Sequence, residues 1–163
     1  ISSGLSGTYA TTVSAKDMVD GINIHIIDTR TLVMPLYNLA KKAYEMVGAG
    51  DSVEEIINYI EEIKNEYFIY LAVGDLTLLK KNGRLSTASA MIGSVLKVKP
   101  LLKVAEAGVI ESVEKIRTMK KAVNRMVETF IAEGEVTEVC ILHSNCPELA
   151  EEFKAKLVDR SVL

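Results

Sequence analysis

The 163-residue sequence contains no tryptophan, only two cysteines and no surplus of positive charge, and each scarcity excludes a class of protein. Cys140 and Cys146 have five residues between them, which fits neither a C-x-x-C redox or zinc pattern nor a secreted disulfide framework. Lys and Arg total 19 against 22 for Asp and Glu, so nothing in the net charge of −3 favours a nucleic-acid partner. The chain also lacks a run of about 20 apolar residues, so no stable membrane insertion is expected. The expected compartment is therefore the reducing cytoplasm.

What the chain does contain is typical of a well-packed soluble protein. Hydrophobic residues make up 48% of the sequence and charged residues 25%. A chain of this size buries about 70% of its unfolded surface, so it needs no disulfide or metal to hold it. It opens on Ile1 without an initiator Met, which leads us to expect an internal fragment of a longer protein.

The first part of the chain predicts alternating helices and strands. Its elements are a helix at Thr8–Val19 ended by Gly21, a strand at Ile22–Ile27, a helix from Pro35 to Gly48, a helix after the capping box of Ser52 and Glu55, and a strand at Phe68–Val73. This order predicts an α/β fold in which helices flank a parallel sheet. We expect a first lobe over residues 1–73.

The second part, residues 74–163, changes character after Gly74 and predicts a second α/β lobe. Its elements are a short helix at Leu76–Lys81, a helix at Ser86–Leu96, a hairpin of Lys99–Val104 with Gly108–Ser112, a long helix from Ile116 to Phe130, a strand at Val139–Leu142 and a helix opened by Pro147.

The opening segment is the first candidate site. Its hydroxyls and glycines are Ser2, Ser3, Gly4, Ser6, Gly7 and Thr8. They precede a helix, where free backbone N–H groups and the helix dipole favour an anion. The alternative is that Ser6 or Thr8 only caps the helix while the glycines make the turn.

Arg84 is the second candidate. It follows Asn82-Gly83 on a turn, where its guanidinium is able to engage a carboxylate or phosphate through two hydrogen bonds. The alternative is ordinary C-terminal capping of the preceding helix by its lysines and Asn-Gly.

Four further residues are weaker candidates for a functional site. Cys146 and His143 are candidates for a nucleophile pair, and the alternative is a pair without function. Asp28 and Asp75 follow predicted strands, where α/β folds place ligands, and the alternative is a helix or turn cap. The chain has no phosphate loop, no dinucleotide fingerprint and no H-E-x-x-H motif, so no cofactor and no metal is expected.

Several segments together resemble one bacterial family, the DegV proteins. The similar segments are Ser2-Ser3-Gly4-Leu5-Ser6-Gly7-Thr8-Tyr9, Ile27-Asp28-Thr29, Leu79-Lys80-Lys81-Asn82-Gly83-Arg84-Leu85, Val98-Lys99-Pro100-Leu101-Leu102 with Gly108-Val109-Ile110, and Lys115-Ile116-Arg117-Thr118-Met119-Lys120-Lys121-Ala122. Their order and spacing hold across almost the whole chain. The resemblance implies a two-lobe DegV-like fold whose first lobe, with its parallel sheet, is incomplete here.

The resemblance also implies a function. Such proteins bind a long-chain fatty acid and present its carboxylate to a fatty acid kinase catalytic subunit for acyl-phosphate formation in lipid metabolism, without catalytic machinery of their own. Hydroxyls of the first motif hold the carboxylate, which favours Ser3 or its neighbour Ser2, while the acyl chain runs into the core between the lobes. Arg84 matches the arginine that is associated with the kinase partner.

Some features of the family pattern are missing. The strand end continues as Asp28-Thr29-Arg30 and reaches Met34-Pro35, where the family usually has D-S-x-x-x-S-x-G. The flanking T-S-Q-P-S and G-T-H-T-G-P-G segments are absent. The competing interpretations are an enzyme in its own right, as a serine hydrolase or a dihydroxyacetone-kinase-like phosphotransferase, and a purely regulatory interaction domain.

Overall fold

The computed structural model describes residues 1–85 and 98–160. Its helices are α1 (Thr8–Lys16), α2 (Val33–Ala49), α3 (Val53–Ile63), α4 (Thr77–Lys81), α5 (Met119–Ala132) and α6 (Pro147–Asp159), and its strands are β1 (Tyr70–Ala72), β2 (Leu101–Val104) and β3 (Ile110–Glu114). The chain forms two compact units: unit 1 consists of Ile1–Ile69 and Val104–Glu111, and unit 2 of Tyr70–Lys103 and Ser112–Leu163.

Unit 1 is built on the pair of helices α2 and α3. Gly50 ends α2 in the left-handed conformation, with φ of +91°, and Ser52 then opens α3 through a complete capping box with Glu55. The core between these helices consists of Leu39, Ile56 and Ile60, with Ile27, Ala43, Met46, Tyr59, Ile63 and Tyr67 packed around them. One turn of 3₁₀-helix, Lys64–Glu66, follows α3.

Unit 1 also contains the turn between β2 and β3. The N–H of Ala105 donates to the Val109 carbonyl, and the N–H of Gly108 donates to the Ala105 carbonyl. Gly108 has φ of +71°, a conformation that glycine adopts without steric cost. The hairpin turn therefore lies in the same unit as the opening Ser-Ser segment.

Unit 2 combines a small sheet with two helices. The strand order is β1-β2-β3, and β1 pairs antiparallel with β2 in a register that sets Leu71 opposite Leu102. Two core clusters lie in this unit: Leu101, Ile116 and Ala122, and Val123, Val127, Phe153 and Leu157. Phe130 packs edge-on against both Tyr70 and Phe153, at ring-centroid distances of 5.4 and 5.9 Å. These rings pack beside the paired core faces of α5 and α6.

The mixture of helices and strands agrees with the α/β expectation, and most predicted elements are present. The helices predicted from Thr8, Pro35, Ser52, Leu76, Ile116 and Pro147, and the strand and hairpin predicted at residues 68–73 and 99–112, are confirmed with shifts of a few residues at their ends. The helix predicted at 86–96 lies outside the described residues.

Two predicted strands are wrong. Residues 22–27 and 139–142 form no strand in the described structure. A β-branched run becomes a strand only when a neighbouring strand completes its ladder hydrogen bonds, and in the described residues neither run has one. The strand predicted at residues 68–73 as part of the first lobe lies in unit 2 as β1, where it pairs antiparallel with β2. The division of the chain at Gly74 stays a prediction.

Candidate functional site

The buried side chain of Ser2 links the opening segment to the hairpin turn. Its side chain is 1% exposed, and its Oγ donates a 2.6 Å hydrogen bond to the Gly108 carbonyl. The Ser2 carbonyl in turn accepts from the N–H groups of Leu5 and Ser6, which folds the segment into a turn. Because Ser2 is enclosed and its hydroxyl proton is already used, its role in the structure is to hold this turn against the hairpin.

Ser3 is exposed and is held by a carboxylate. Its N–H donates to Asp28 Oδ1 at 3.0 Å and its Oγ donates to Asp28 Oδ2 at 2.6 Å. These two hydrogen bonds to one carboxylate fix both the backbone and the side chain of Ser3. Ser3 therefore presents its hydroxyl oxygen at the surface of unit 1 in a defined orientation.

Two further contacts fix Asp28 itself. The N–H of Arg30 donates to Asp28 Oδ1 at 3.2 Å, and the buried Nζ of Lys64 donates to the Asp28 carbonyl at 3.1 Å. Lys64 is balanced by Glu61, whose Oε2 lies 2.5 Å from the same Nζ. Partial burial raises the pKa of the Asp28 carboxyl, but the hydrogen bonds from Ser3 and Arg30 outweigh it and hold that pKa below its usual range. Asp28 is therefore ionised at neutral pH.

Gly4 and Gly108 allow the segments to approach this closely. A Cβ on Gly4 would lie 2.7 Å from Val109 Cγ1 and 2.9 Å from the Gly108 carbonyl oxygen. A Cβ on Gly108 would overlap the Ser2 hydroxyl and lie 3.0 Å from Arg30 Cα. Both glycines are therefore required by packing. The sequence predicts Gly4 as a candidate site residue and Gly108 only as part of the hairpin.

The remaining residues of the first motif form the start of α1. Ser6 Oγ accepts the N–H of Thr8 at 3.2 Å, and Gly7 occupies the N-cap position with no side chain to cap the helix. Ser6 thus acts as the local cap that the sequence allowed as an alternative. The assignment of Ser6, Gly7 and Thr8 to ligand binding stays a prediction.

Arg84 lies in unit 2, just after α4. Asn82 ends that helix, Gly83 turns the chain with φ of +72°, and the exposed Arg84 donates from Nη1 to the Asn82 carbonyl at 2.6 Å. The Asn-Gly pair acts as the C-terminal stop that the sequence indicated. The assignment of Arg84 to a partner stays a prediction.

The weaker candidates have local roles in the structure. Asp75 accepts the N–H of Thr77 at 2.8 Å at the start of α4, and this bond helps to hold the pKa of its carboxyl below the usual range. His143 Nδ1 accepts the N–H of Cys146 at 3.3 Å, while Cys140 and Cys146 are free thiols. Within residues 1–85 and 98–160 no group of three His, Cys, Asp or Glu side chains is arranged to hold a metal ion.

The sequence does not reveal the roles of Lys64, Gly108 and Thr29 near the opening segment. Lys64 and Gly108 lie 36 and 106 positions from the residues they contact, Asp28 and Ser2, and no local motif marks either pairing. Thr29 is 6% exposed, and its Oγ1 has no hydrogen-bond partner among the described residues. The one available signal was the hairpin glycine, which predicted the turn but not its contact with Ser2.

Known proteins that the chain resembles identify its family. A family model described as "Uncharacterised protein, DegV family COG1307" matches residues 1–161. The chain belongs to the DegV family. Among curated relatives, Protein DegV of Bacillus subtilis is 39% identical over 163 residues, covering 98% of this chain and 56% of its own. The chain therefore spans about half the length of the DegV relatives it matches.

Solved DegV structures share the fold. A fatty acid binding DegV family protein from Streptococcus agalactiae matches with a TM-score of 0.87 at 29% identity, covering 99% of this chain and 58% of its own. DegV of Bacillus subtilis, described as a fatty acid binding protein, matches with a TM-score of 0.79 at 38% identity, covering 98% and 57%.

A third structure shows the likeness of fold alone, because it is only 22% identical. It is the Fatty Acid Kinase (Fak) B3 protein of Streptococcus pneumoniae, loaded with linoleic acid; its TM-score is 0.79, and the match covers 98% of this chain and 59% of its own. In addition, no helix among the described residues has the length and apolar character needed to cross a bilayer.

Proposed function

We propose that unit 1 carries part of a fatty-acid head-group site and that Ser3 supplies its hydroxyl. The choice of Ser3 is supported by the contrast with its neighbour. Ser2 is 1% exposed and donates to the Gly108 carbonyl, whereas Ser3 is exposed and is oriented by Asp28. The fatty acid binding described for DegV of Bacillus subtilis, 38% identical, supports the same ligand class for this chain.

The hydroxyl orients the ligand, and the acyl chain supplies the affinity. Each methylene removed from water contributes about 0.8 kcal/mol, so a long chain dominates the binding free energy. A few polar groups are enough to fix the head of such a ligand. A single hydroxyl at the carboxyl end is therefore a specificity element of modest energetic weight.

Removing the Ser3 hydroxyl tests this assignment. In the full-length protein, Ser3→Ala is expected to weaken fatty-acid binding by about 1 to 3 kcal/mol, the usual value of a hydrogen bond to a charged or strongly polar group. Titration with oleic acid and mass spectrometry of copurified lipid measure the loss. The matched control is Ser14→Ala, an exposed serine of α1 whose hydroxyl donates to the Ala10 carbonyl. Equal affinity in both variants would contradict the assignment.

We further propose that the bound acid is offered to a fatty acid kinase catalytic subunit and that Arg84 contacts this partner. Arg84 is exposed on a turn whose shape is set by Gly83, and it matches the family arginine associated with the kinase. A protein of the same fold is described as the Fatty Acid Kinase (Fak) B3 protein. A guanidinium held on a fixed turn suits a carboxylate or phosphoryl partner.

Arg84→Ala separates partner contact from lipid binding. The variant is expected to bind oleic acid as the unmodified protein does and to form acyl-phosphate at least about tenfold more slowly when kinase and ATP are supplied, the effect of losing about 1.4 kcal/mol of contact. Arg160→Ala, which removes an exposed arginine at the end of α6, is the control. Normal acyl-phosphate formation together with weakened lipid binding would overturn the partner role.

The described contacts favour a binding protein over a serine hydrolase. A hydrolase needs a base that accepts the serine proton, and the group beside Ser3 is Asp28. The hydrogen bonds that lower the pKa of this carboxyl make it a weak base at neutral pH. This geometry supports the orientation of a hydroxyl without its activation as a nucleophile.

A further inference from the structure

The direction of the hydrogen bond between Ser3 and Asp28 limits what Ser3 is able to offer a ligand. A serine hydroxyl has one proton and two lone pairs. Asp28 accepts three bonds, from the N–H and Oγ of Ser3 and from the N–H of Arg30, and an ionised carboxylate has no proton to donate. The proton between the two side chains therefore belongs to Ser3. Only acceptor lone pairs remain on Ser3 Oγ for a ligand.

An ionised carboxylate is a poor match for such an oxygen. It also carries only acceptors, so its approach would oppose lone pair to lone pair. The negative charge of Asp28 lies one 2.6 Å hydrogen bond beyond Ser3 Oγ, and a nearby like charge favours the neutral form of a carboxyl group. A protonated carboxylic acid, in contrast, has an O–H that donates to Ser3.

We propose that this site takes the fatty acid in its protonated form, with the acid O–H donating to Ser3 Oγ and with Asp28 as the positioning residue that holds the Ser3 proton. The inference rests on the proposed function, because it assigns the charge state of that same head group. It predicts the ligand class: carboxylic acids that take up a proton on binding, and not permanently ionised sulfonates.

Among the described residues, Lys64, Glu61 and Arg30 are the other charged side chains whose contacts or charge reach the Asp28 region. Lys64 meets the Asp28 carbonyl and is balanced by Glu61. The Arg30 guanidinium acts on Asp28 through its charge. Arg30 lies in the same turn as Asp28, so it is the cation that a test of head-group charge has to include.

Proton uptake measured by calorimetry tests the proposal directly. The full-length protein is titrated with dodecanoic acid at about pH 7.5, well above the pKa of a free carboxyl, in two buffers of different ionisation enthalpy. We expect an uptake of about one proton per ligand, and therefore a Kd that rises about tenfold per pH unit. Dodecanesulfonate, which has the same chain and a permanent charge, is expected to bind at least about 100-fold more weakly.

Variants identify the groups responsible. Asp28→Asn removes the negative charge and frees the Ser3 proton, so proton uptake is expected to fall towards zero and binding of dodecanesulfonate to strengthen. Asp51→Asn, at an exposed acid between α2 and α3, is the matched control and is expected to leave both unchanged. Arg30→Gln is expected to leave the uptake near one proton.

The outcomes separate this proposal from the proposed function. Tight binding of dodecanoic acid by the unmodified protein without proton uptake overturns the protonated form and leaves fatty-acid binding intact. Loss of proton uptake in Arg30→Gln assigns the effect to the guanidinium and overturns the role of Asp28. Failure of the unmodified protein to bind dodecanoic acid overturns the proposed function, and this inference with it. The first measurement needs no variant, so a folding defect in Asp28→Asn does not remove the test.

Discussion

Gly108 carries two requirements at once: its φ is +71°, and a Cβ there would overlap the Ser2 hydroxyl. The positive φ would favour glycine at any left-handed position. The space that the Ser2 side chain occupies is a separate requirement, and it is this requirement that connects the hairpin turn to the opening segment. The same residue therefore serves both the turn and the position of Ser3, which follows Ser2 in the chain.

Gly108→Ala is expected to lower the free energy of unfolding by about 2 to 5 kcal/mol. The left-handed conformation costs a residue with a Cβ about 1 to 2 kcal/mol, and displacement of Ser2 Oγ from its buried bond adds about 1 to 3 kcal/mol. Urea denaturation of the full-length protein measures the change.

Gly50→Ala is the matched control, because Gly50 has φ of +91° and open space where its Cβ would stand. Only the conformational cost of about 1 to 2 kcal/mol applies there. Equal losses at the two glycines would show that the contact with Ser2 contributes nothing to stability.

At the scale of the element, α3 is the helix whose start is most fully specified by local sequence. Ser52 Oγ accepts the N–H of Glu55, and Glu55 Oε2 accepts both the N–H and the Oγ proton of Ser52, each at 2.7 Å. Both partners lie within four residues, so the signal was complete in the sequence.

Ser52→Ala is expected to destabilise the protein by about 1 kcal/mol at neutral pH. The hydrogen bonds from Ser52 lower the pKa of Glu55, so the stability they contribute is present above the ordinary pKa of a glutamate. It is lost as the pH falls through the lowered value, when the carboxyl takes up a proton. The difference between variant and unmodified protein should therefore shrink in acid, which thermal unfolding at several pH values measures. A difference that stays constant with pH would exclude a contribution from Glu55.

The sequence predicted an element correctly where its signal lies within a few neighbouring residues. It predicted a strand wrongly where strand formation depends on a neighbouring strand. Apolar spacing, caps and stops defined the helices, and the four-residue turn ending in Gly108 defined the hairpin. Residues 22–27 and 139–142 have strand composition, but composition does not supply the neighbour that a ladder requires. The same distinction applies to the site. The local motif predicted Ser2 and Ser3, whereas the hydrogen bonds of Ser3 to Asp28 join residues 25 positions apart in the chain and could not be predicted from it.

At the scale of the whole molecule, the two units have separate cores. Leu39, Ile56 and Ile60 form the one in unit 1, and the cluster around Phe153 lies in unit 2. The hairpin turn at 104–111 belongs to unit 1 although its neighbours in sequence belong to unit 2. Separate cores allow separate local unfolding.

Phe153→Ala tests this separation by hydrogen exchange. Truncation of this buried ring costs about 3 to 5 kcal/mol, so amides of α5 and α6 are expected to exchange faster. Amides of α2, α3 and residues 104–111 are expected to keep their protection. Val158→Ala, at a side chain of α6 that is 55% exposed, is the control. Equal loss of protection in both units would mean that the chain unfolds as one body.

The two free thiols determine how the chain can be labelled with a fluorescent dye. Cys140 is exposed, Cys146 is half-buried, and both belong to unit 2, while unit 1 contains no cysteine. A maleimide dye on Cys140 therefore reports from unit 2 alone once Cys146 has been replaced by serine. Because the sequence has no tryptophan, its intrinsic emission comes from tyrosine in the ultraviolet and is well separated from that of a visible dye. Fluorescence labelling of this chain thus needs one substitution and no engineered attachment point.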